Sequence, residues 1–570
     1  MLPWKARKRQ FAKSDGPPVP CAHADAFNGE GYVLALRHDR DSATSCATKQ
    51  AAPSNGRLGS TRATDPTALC HPSIPRVPLM LSGPRPLVSA AQTFGYFLHE
   101  YLARNDNSHR SANRWHGSGA EHLGLGQRVG KRKFISILSG EVPGTEITLG
   151  RIIDGERQHR PGWDMTFSAP KSVSLEALFR GRRTVMHAHD AAVRATLDWI
   201  ETEYLQTRGY DAATGRRPRE AADGMIAAAF RHMASRNNDP QLHTHAVLAN
   251  MTRNRDGAWR SVEPTLLRRN RRVFGAWYRN DLARRLRNLG YDLTPTTVGG
   301  LPSFEISGWS QDWLEAFSTR RQDILQHMAD EGRTYTTANA QAAALVTRGR
   351  KAEPVRGELV KLWHRRAEAL GLTEERQSGM VPTNAARLTP LEAVWQAMQH
   401  LEERHSVFRR TDLLAAALGR DPERHKHEEL EVAIDRLHRD RHLVDTVRDD
   451  LTTRETLRAE RSVIAALREG LGRSAPLTEE RDITARLEAK TLTEGQRDAV
   501  RTILLSENRI VGVQGFAGTG KTHMLKEVVR LAGDCPVIGL APSSAAARVL
   551  ALEAGIGTTT LQWMLGCASA

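Results

Sequence analysis

The spacing of apolar and polar positions divides the chain of 570 residues into four segments. Residues 1–79 mix Pro, Gly, Ser, Ala, Arg and Thr without a sustained period, a composition that buries too little apolar surface to offset the entropy of ordering. We therefore predict a disordered extension over 1–79, with Met80 as a candidate start of the regular chain. Strands and helices alternate over 80–328, helices dominate 329–484, and a buried strand leading into a helix marks 485–570.

Two of the predicted strands enclose a polar turn and carry three histidines. His243 and His245 are two positions apart, so a strand places both side chains on one face. The turn formers of 235–240 predict a hairpin that brings His232 opposite this pair. Residues 225–229 have helix propensity instead, but only the strand lets three imidazoles converge. We predict a three-histidine metal site with coordination positions left open for substrate.

Further elements flank this hairpin. The pattern of 160–174 predicts a strand that ends at Ser168, followed by a helix with Pro170 and Lys171 in its first turn. A helix over 268–289 has one apolar face and arginines around the remainder, which either contact a phosphate backbone or are simply solvated. Within 329–484, helices near 390–401, 411–418 and 427–437 and a short strand at Val444 predict a linker that is mostly helical or winged-helix-like.

The last segment contains a phosphate-binding pattern. A buried strand, Ile510–Gln514, runs into residues 515–522, a complete Walker A motif in its strand-then-helix context. Its amides would surround phosphates, Lys521 would reach the β and γ groups, and Thr522 would hold Mg²⁺. The predicted nucleotide-binding residues are Gln496, Gly515, Gly518, Gly520, Lys521 and Thr522, with ATP as the ligand. No acidic Walker B segment follows, so we expect a truncated RecA-like domain with little ATPase or helicase activity of its own.

Composition narrows the class of partner. Lys and Arg number 81 against 65 Asp and Glu, a net charge of +16 that favours a polyanionic partner, although arginine-rich codon usage produces the same bias. No apolar run approaches the roughly 18 residues of a membrane span, and the basic start lacks the apolar region of a secretory signal. The five cysteines have neither zinc nor disulfide spacing, which suits a reducing cytoplasm.

Tyrosines change the chemistry expected of the histidine site. Three imidazoles alone would indicate zinc and a hydrolase. A helix predicted over 88–102 carries Tyr96 and Tyr101, and a phenol becomes a useful nucleophile beside a cation or a base. Packing in the core is the competing role for Tyr96. Asp164 is a candidate to fix the tautomer of a ligand histidine or to accept the tyrosine proton, with an ordinary strand-edge aspartate as the alternative.

Three long blocks of sequence resemble a known family. Residues 164–174, residues 235–245 with His232 before them, and residues 115–125 resemble the signature blocks of conjugative relaxases of the MobF class, the TrwC and TraI group. Residues 317–321 resemble the segment that closes the domain in that family. The resemblance implies an α+β fold: a relaxase domain over 80–328 with a central antiparallel sheet and flanking helices, a helical linker over 329–484, and a partial RecA-like α/β P-loop domain over 485–570.

The resemblance also implies an activity. Tyr96, with Tyr101 as the second candidate, would cut one DNA strand at a plasmid transfer origin, form a 5′-phosphotyrosyl bond and later transfer the strand. Asp164 matches the acid beside the metal, and His232, His243 and His245 match the ligands of Mg²⁺ or Mn²⁺, with Zn²⁺ able to occupy the site in vitro. Single-stranded origin DNA, accessory relaxosome proteins and a coupling protein are the expected partners, in the cytoplasm and without membrane insertion.

The sequence departs from that family in three ways, and two alternatives stay open. The family usually has paired tyrosines, whereas Phe97 and Leu102 follow Tyr96 and Tyr101 here. The loop from Tyr101 to Trp115 is long for the family, which bears on the assignment of Tyr101. The helicase half of the family is also much longer than 485–570. The first alternative is a rolling-circle replication initiator, which shares the metal and tyrosine chemistry. The second is a DNA-binding remnant of a decayed mobile element without catalytic activity.

Overall fold

The computed structural model describes most of the chain from residue 113 onward and two short stretches before it. The described residues are 32–36, 81–87, 113–210, 213–298, 301–332, 337–347, 356–372, 388–448, 450–481, 483, 487, 492–516 and 518–568. They fall into two units, one over Thr67–Leu443 and the other comprising Met1–Pro66 and Val444–Ala570. The helix predicted over 88–102 lies outside the described residues, and Tyr96 and Tyr101 with it.

Strands and helices alternate through both units. The strands are β1 (Tyr32–Leu36), β2 (Leu81–Pro86), β3 (Arg114–His116), β4 (Arg151–Ile153), β5 (Glu156–Gln158), β6 (Gly162–Ser168), β7 (Gln206–Arg208), β8 (Arg219–Ala221), β9 (Ala227–Ala234), β10 (Pro240–Ala249), β11 (Thr252–Arg253), β12 (Trp259–Arg260), β13 (Leu293–Val298), β14 (Leu301–Ile306), β15 (Leu443–Asp445), β16 (Leu451–Thr453), β17 (Ile510–Gln514), β18 (Ile538–Ala541) and β19 (Gly557–Thr560). The helices are α1 (Ser118–His122), α2 (Lys131–Leu138), α3 (Lys171–Ser174), α4 (Arg183–Tyr204), α5 (Thr265–Arg269), α6 (Arg271–Asn288), α7 (Gln311–Ala316), α8 (Thr319–Asp330), α9 (Thr337–Val346), α10 (Arg356–Ala369), α11 (Pro390–Glu402), α12 (Arg410–Leu418), α13 (His427–Arg439), α14 (Arg454–Glu469), α15 (Glu494–Leu505), α16 (Lys521–Leu531), α17 (Ser544–Ala554) and α18 (Leu561–Ala568), and a π-helical turn, Leu175–Phe179, continues α3.

A five-stranded antiparallel sheet with the order β2-β6-β10-β9-β3 organises the first unit. The α+β prediction with a central antiparallel sheet and flanking helices is therefore confirmed. The predicted strand ending at Ser168 is β6, and Pro170 caps the helix that follows. Residues 227–229 belong to β9 despite their helix propensity, because pairing with β3 on one side and β10 on the other outweighs that weak preference.

Each face of the sheet packs on its own core. On one face α4 and α6 cover β6 and β10, and the rings of Phe167 and Tyr278 meet edge to face at 5.5 Å. On the other face Phe230 of β9 meets Phe134 of α2 edge to face at 5.4 Å, and Trp115 of β3 joins the same cluster. Full burial of each aromatic side chain contributes about 1.5–3 kcal/mol. The sheet is therefore packed on both faces. At one end of the face that carries Phe230, the residues are polar.

The arginine-rich helix predicted over 268–289 is α6, with a break from α5 at Asn270. Its apolar face is buried as predicted, but neither a phosphate contact nor a solvated face describes Arg279, which is only 4% exposed. Burial lowers the pKa of the Arg279 guanidinium to about 10. Helix α12 packs on α6, and the Asn280 amide donates to Leu418 O at 3.4 Å. Most of α6 is therefore an interior helix.

The helices predicted between 389 and 437 are confirmed. Thr389 caps α11 through a reciprocal pair of hydrogen bonds with Glu392, and Pro390 occupies the first helical position. The predicted strand at Val444 is β15, and it forms a two-stranded sheet with β16. Three helices followed by two short strands is the order expected of a winged-helix-like module, and the boundaries of 329–484 stay a prediction.

The second unit contains the strand and helix of the Walker A motif, β17 and α16. Strand β17 pairs antiparallel with β1, and β18 pairs parallel with β19. The apolar run of β1 departs from the disorder predicted for 1–79, and the rest of that segment is outside the described residues. Among the helices of the described residues, none is long and apolar enough to cross a membrane.

Candidate metal centre

Three histidines converge on the open end of one sheet face. His243 pairs across the ladder with His232, and His245 pairs with Phe230, so all four side chains share that face. The imidazole centroids lie 5.1, 5.2 and 5.3 Å apart, and all three rings are half-buried. One nitrogen of each ring lies within 4.8 Å of the others. Sequence and structure therefore agree on the hairpin and on its convergence.

Hydrogen bonds select the tautomer of two of these rings. His245 Nδ1 lies 3.0 and 2.9 Å from the two carboxylate oxygens of Asp164 and 3.1 Å from Thr166 Oγ1. His243 Nδ1 lies 2.8 Å from the carbonyl oxygen of Gln241. Because a carbonyl and an ionised carboxylate can only accept, both Nδ1 atoms carry the proton. In this tautomer the lone pair is on Nε2, the atom through which His243 and His245 would bind a cation.

The residues fit a divalent cation. Nitrogen ligands about 2.1 Å from a tetrahedral ion are about 3.4 Å apart, so the rings need to close by only about 1.4 Å at most. In the part of the chain that the structure describes, His232, His243 and His245 are the one group of three or more His, Cys, Asp or Glu side chains arranged for a metal. Asp164 lies beside this group, in contact with His245, one of the ligand candidates. Its role stays a prediction.

A buried histidine supports the strand from behind. His189 of α4 is 0% exposed, and its two ring nitrogens lie 2.7 Å from Tyr278 Oη and 2.8 Å from Thr244 Oγ1. Thr244 stands between the two β10 histidines and points to the opposite face. Burial, with Arg231 nearby, lowers the pKa of His189 to about 3, so the ring is neutral. Its two hydrogen bonds link β10 to α4 and α6 behind the histidine face.

An arginine-lined groove lies elsewhere in the same unit, and sequence reasoning missed it. Its volume is about 1350 Å³, and its walls include Arg151, Arg157, Arg160, Arg208, Arg217 and Arg260. Part of the wall is the two-stranded ribbon β4–β5, whose turn has positive φ at Asp154 (51°) and Gly155 (79°). An Asp-Gly pair between two short strands is a hairpin signal that could have been found in the sequence. Ile152 on this ribbon is 68% exposed.

The Walker A loop of the second unit has the backbone conformation that its glycines permit. Gly518 and Gly520 have φ values of 78° and 73°, which favour glycine. Lys521 Nζ donates to the carbonyls of Gly515 at 2.6 Å and Phe516 at 2.8 Å. Gln496 Nε2 donates to Thr519 O at 2.8 Å, so the predicted nucleotide residue Gln496 is joined to the loop.

Thr522 lies in the first turn of α16, directly after Lys521. The order strand, loop, helix leaves amides at the start of α16 available to an anion. The six residues predicted to bind a nucleotide therefore lie on or against one loop, and their role remains a prediction.

Comparisons with known proteins match both units. Residues 88–370 match the family described as TrwC relaxase, and residues 491–569 match a family described as an AAA domain. The chain is 32% identical over 327 residues to the multifunctional conjugation protein TraI of Escherichia coli, a match that covers 54% of this chain and 18% of TraI. TraI of Escherichia coli strain K12 matches to the same extent. The chain thus spans less than a fifth of the curated relatives it matches.

Solved structures of a TrwC relaxase are also similar. A metal-free complex of the conjugative relaxase TrwC with oriT DNA is 33% identical, and the match covers 51% of this chain and 99% of that one with a TM-score of 0.46. A metal-bound complex is 33% identical, with coverage of 52% and 99% and a TM-score of 0.47.

Proposed function

Because the chain belongs to the TrwC relaxase family through residues 88–370, we propose that it is a conjugative relaxase: a metal-dependent enzyme that nicks one strand of plasmid DNA at a transfer origin. The convergence of His232, His243 and His245 on one sheet face, with Asp164 against His245, carries this proposal. We propose Tyr96 as the nucleophile and Tyr101 as the second tyrosine, as the resemblance of the sequence implies; both lie outside the described residues.

The residues divide the chemistry between them. A divalent ion on the three histidines would withdraw charge from the phosphorus of a bound phosphodiester. The Tyr96 oxygen forms a bond to phosphorus while the bond to the 3′ oxygen breaks, and the proton that the phenol loses balances the one that the 3′ oxygen gains. A 5′-phosphotyrosyl bond and a free 3′-hydroxyl result. Since the new bond conserves the energy of the phosphodiester, the reverse attack can rejoin a strand.

Asp164 acts in this scheme by orienting His245. Both of its oxygens lie within 3.0 Å of His245 Nδ1, and the two side chains are 13% and 14% exposed. A carboxylate that already forms hydrogen bonds with a histidine is better placed to orient that ring than to accept the tyrosine proton. We assign Mg²⁺ or Mn²⁺ as the working ion, with Zn²⁺ as a competitor for the imidazoles.

DNA binding requires a basic surface, and the arginine-lined groove provides one. Arg208 is ion-paired with Glu263 at 2.6 Å, and the other five arginines can neutralise phosphates without reading sequence. A two-stranded ribbon such as β4–β5 can enter the major groove of duplex DNA. We propose that this surface holds DNA adjoining the cleaved strand. The P-loop of the second unit would bind ATP, and the working location would be the cytoplasm with accessory relaxosome proteins and a coupling protein as partners.

A covalent-adduct assay tests the proposal. The full chain is incubated with Mn²⁺ or Mg²⁺ and single-stranded oligonucleotides that span candidate transfer origins, and the products are resolved under denaturing conditions. The wild type should give a protein–DNA band that EDTA abolishes, and Tyr96→Phe should give none. Tyr101→Phe is the matched control and should retain the first cleavage.

The remaining outcomes separate the alternatives. A band of equal strength from Tyr96→Phe would refute Tyr96 as the nucleophile. Binding without any band, with every origin and either metal, would indicate the non-catalytic remnant. Cleavage of replication origins in preference to transfer origins would indicate a rolling-circle initiator.

A further inference from the structure

The turn between β9 and β10 is built around a buried carboxylate. Asp239 is 1% exposed, although it lies in a five-residue polar loop between two strands. Its oxygens accept hydrogen bonds from Thr319 Oγ1 at 2.9 Å, from Arg366 Nη1 at 3.0 Å and from Ser235 Oγ at 3.3 Å. A buried carboxylate with this many donors is held in one position, and losing a donor leaves a charge without compensation.

This turn sets the register that brings the histidines together. Pro240 pairs with Ala234 and His243 pairs with His232, so three steps along β10 correspond to two steps along β9, which is a β-bulge. Without the bulge, Leu242 would pair with His232. His243 would then fall on the opposite face from His232, because successive strand residues alternate.

The bulge is stabilised on its inner side as well. The Leu242 amide donates to Ser174 Oγ at 3.0 Å, and Lys171 Nζ donates to Pro240 O at 2.9 Å. Both side chains, the acceptor Ser174 and the donor Lys171, belong to α3. The extra residue of β10 therefore has hydrogen-bond partners of its own, as buried backbone groups require.

The outer side of the turn is held by two helices that come later in the chain. Thr319 begins α8 and Arg366 lies in α10. From the same α10, the indole nitrogen of Trp363 donates to Asn238 O at 2.6 Å, and Trp363 is 2% exposed. Asn238 has a φ of 61°, in the left-handed region, and this backbone conformation directs its carbonyl toward α10.

We propose that Asp239, held by Thr319 and Arg366, is a positioning residue that fixes the bulged register of the histidine hairpin and so assembles the metal site. The identity of the ligand, a divalent metal ion, rests on the proposed function. The positioning role itself rests on the hydrogen bonds described above. It also makes α10, which begins beyond the predicted boundary at residue 328, a part of the nicking domain.

The test compares variants of the full chain in Mn²⁺ titration calorimetry at a temperature where each is folded. Asp239→Asn and Thr319→Val should raise the dissociation constant about tenfold or more, the range seen when residues behind metal ligands are changed. Thr319→Ser keeps the hydroxyl and should restore wild-type affinity. Arg366→Met should behave like Asp239→Asn, whereas Arg365→Met, an exposed neighbour on the same helix, should not.

Amide hydrogen exchange supplies a readout that does not depend on metal. The same variants should exchange faster in residues 230–245 than the wild type, with little change in α4 and α6. Should Asp239→Asn fail to fold, the milder pair Thr319→Val and Thr319→Ser decides the question.

Each result has a defined meaning. Wild-type Mn²⁺ affinity in both Asp239→Asn and Thr319→Val would overturn the inference, as would unchanged exchange of 230–245. A wild type that neither binds Mn²⁺ nor forms an adduct would defeat the proposed function instead. In that case faster exchange confined to the hairpin of the variants would still support the positioning role, and unchanged exchange would still overturn it.

Discussion

Replacing Asp164 by asparagine removes the charge that holds the proton on His245 Nδ1 while keeping the size of the side chain. The two carboxylate oxygens lie 3.0 and 2.9 Å from that nitrogen. An asparagine can present its oxygen and preserve the tautomer, or present its amide and force the proton onto Nε2. The second arrangement blocks the lone pair that a metal would use.

The expected loss of metal affinity follows from the competition between these two orientations of the asparagine amide. Loss of a carboxylate behind a metal-binding histidine typically weakens metal affinity about 10- to 100-fold, or about 1.4–2.8 kcal/mol. The free energy of unfolding of the metal-free protein should decrease by less, because asparagine can replace one charge-assisted hydrogen bond by a neutral one at a cost of about 1 kcal/mol. Metal affinity should therefore fall further than stability.

Mn²⁺ titration calorimetry of Asp164→Asn measures this difference directly, with urea unfolding of the metal-free proteins as the stability scale. Asp312→Asn, an exposed aspartate of α7, is the matched control and should bind Mn²⁺ as the wild type does. A dissociation constant for Asp164→Asn within threefold of wild type would refute the orienting role. Saturating Mn²⁺ should restore the covalent adduct if Asp164 orients His245, and should fail to restore it if Asp164 accepts the Tyr96 proton.

Three further outcomes follow from the described residues. Below pH 6.5 the unfolded chain protonates His189, whereas the folded chain, with a pKa of about 3, does not. The free energy of unfolding should therefore decrease with falling pH, by about 1.6 kcal/mol between pH 6.5 and 5 in urea unfolding, and an equal slope in His189→Gln would contradict this. Phe230→Ala removes a fully buried ring 5.4 Å from Phe134 and should cost about 3–5 kcal/mol of unfolding free energy; a loss below about 1 kcal/mol would show that the site collapses around the change. Lys521→Ala should abolish binding of a fluorescent ATP analogue in equilibrium titration without changing the DNA adduct, and retained binding would reject the P-loop assignment.

The histidine hairpin could be predicted because its signals are local. Period-two spacing, a run of turn formers and a third histidine all lie within 14 positions of one another, from His232 to His245. The capped start of α11 is local in the same way, since Thr389, Pro390 and Glu392 are neighbours. Each of these patterns reflects the interactions of a single turn or strand pair. All the residues that take part lie close together in the sequence, so a short segment contains the whole signal.

What the sequence could not supply are contacts between distant positions. Asp239 reads as an ordinary turn aspartate because its partners Thr319 and Arg366 lie 80 and 127 residues away. The burial of Arg279 in α6 could not be predicted for the same reason, since Leu418, which ends the helix packed on α6, lies 138 residues after Asn280. Charge alone does not distinguish an arginine facing solvent from one covered by a later helix.

The ligand set itself explains why such a site suits a phosphodiester. Three neutral imidazoles would leave a bound divalent ion with its full charge, and the nearby carboxylate, Asp164, contacts it only through His245. A site of carboxylate ligands would cancel that charge and repel the anionic backbone. The strand that carries His243 and His245 is joined on its other face to α4 through the hydrogen bond between Thr244 and His189, which holds these two histidines on a supported strand. The arrangement therefore combines strong attraction for a phosphate with a fixed position for the reacting phosphorus, which is what an attack by a weak phenolic nucleophile requires.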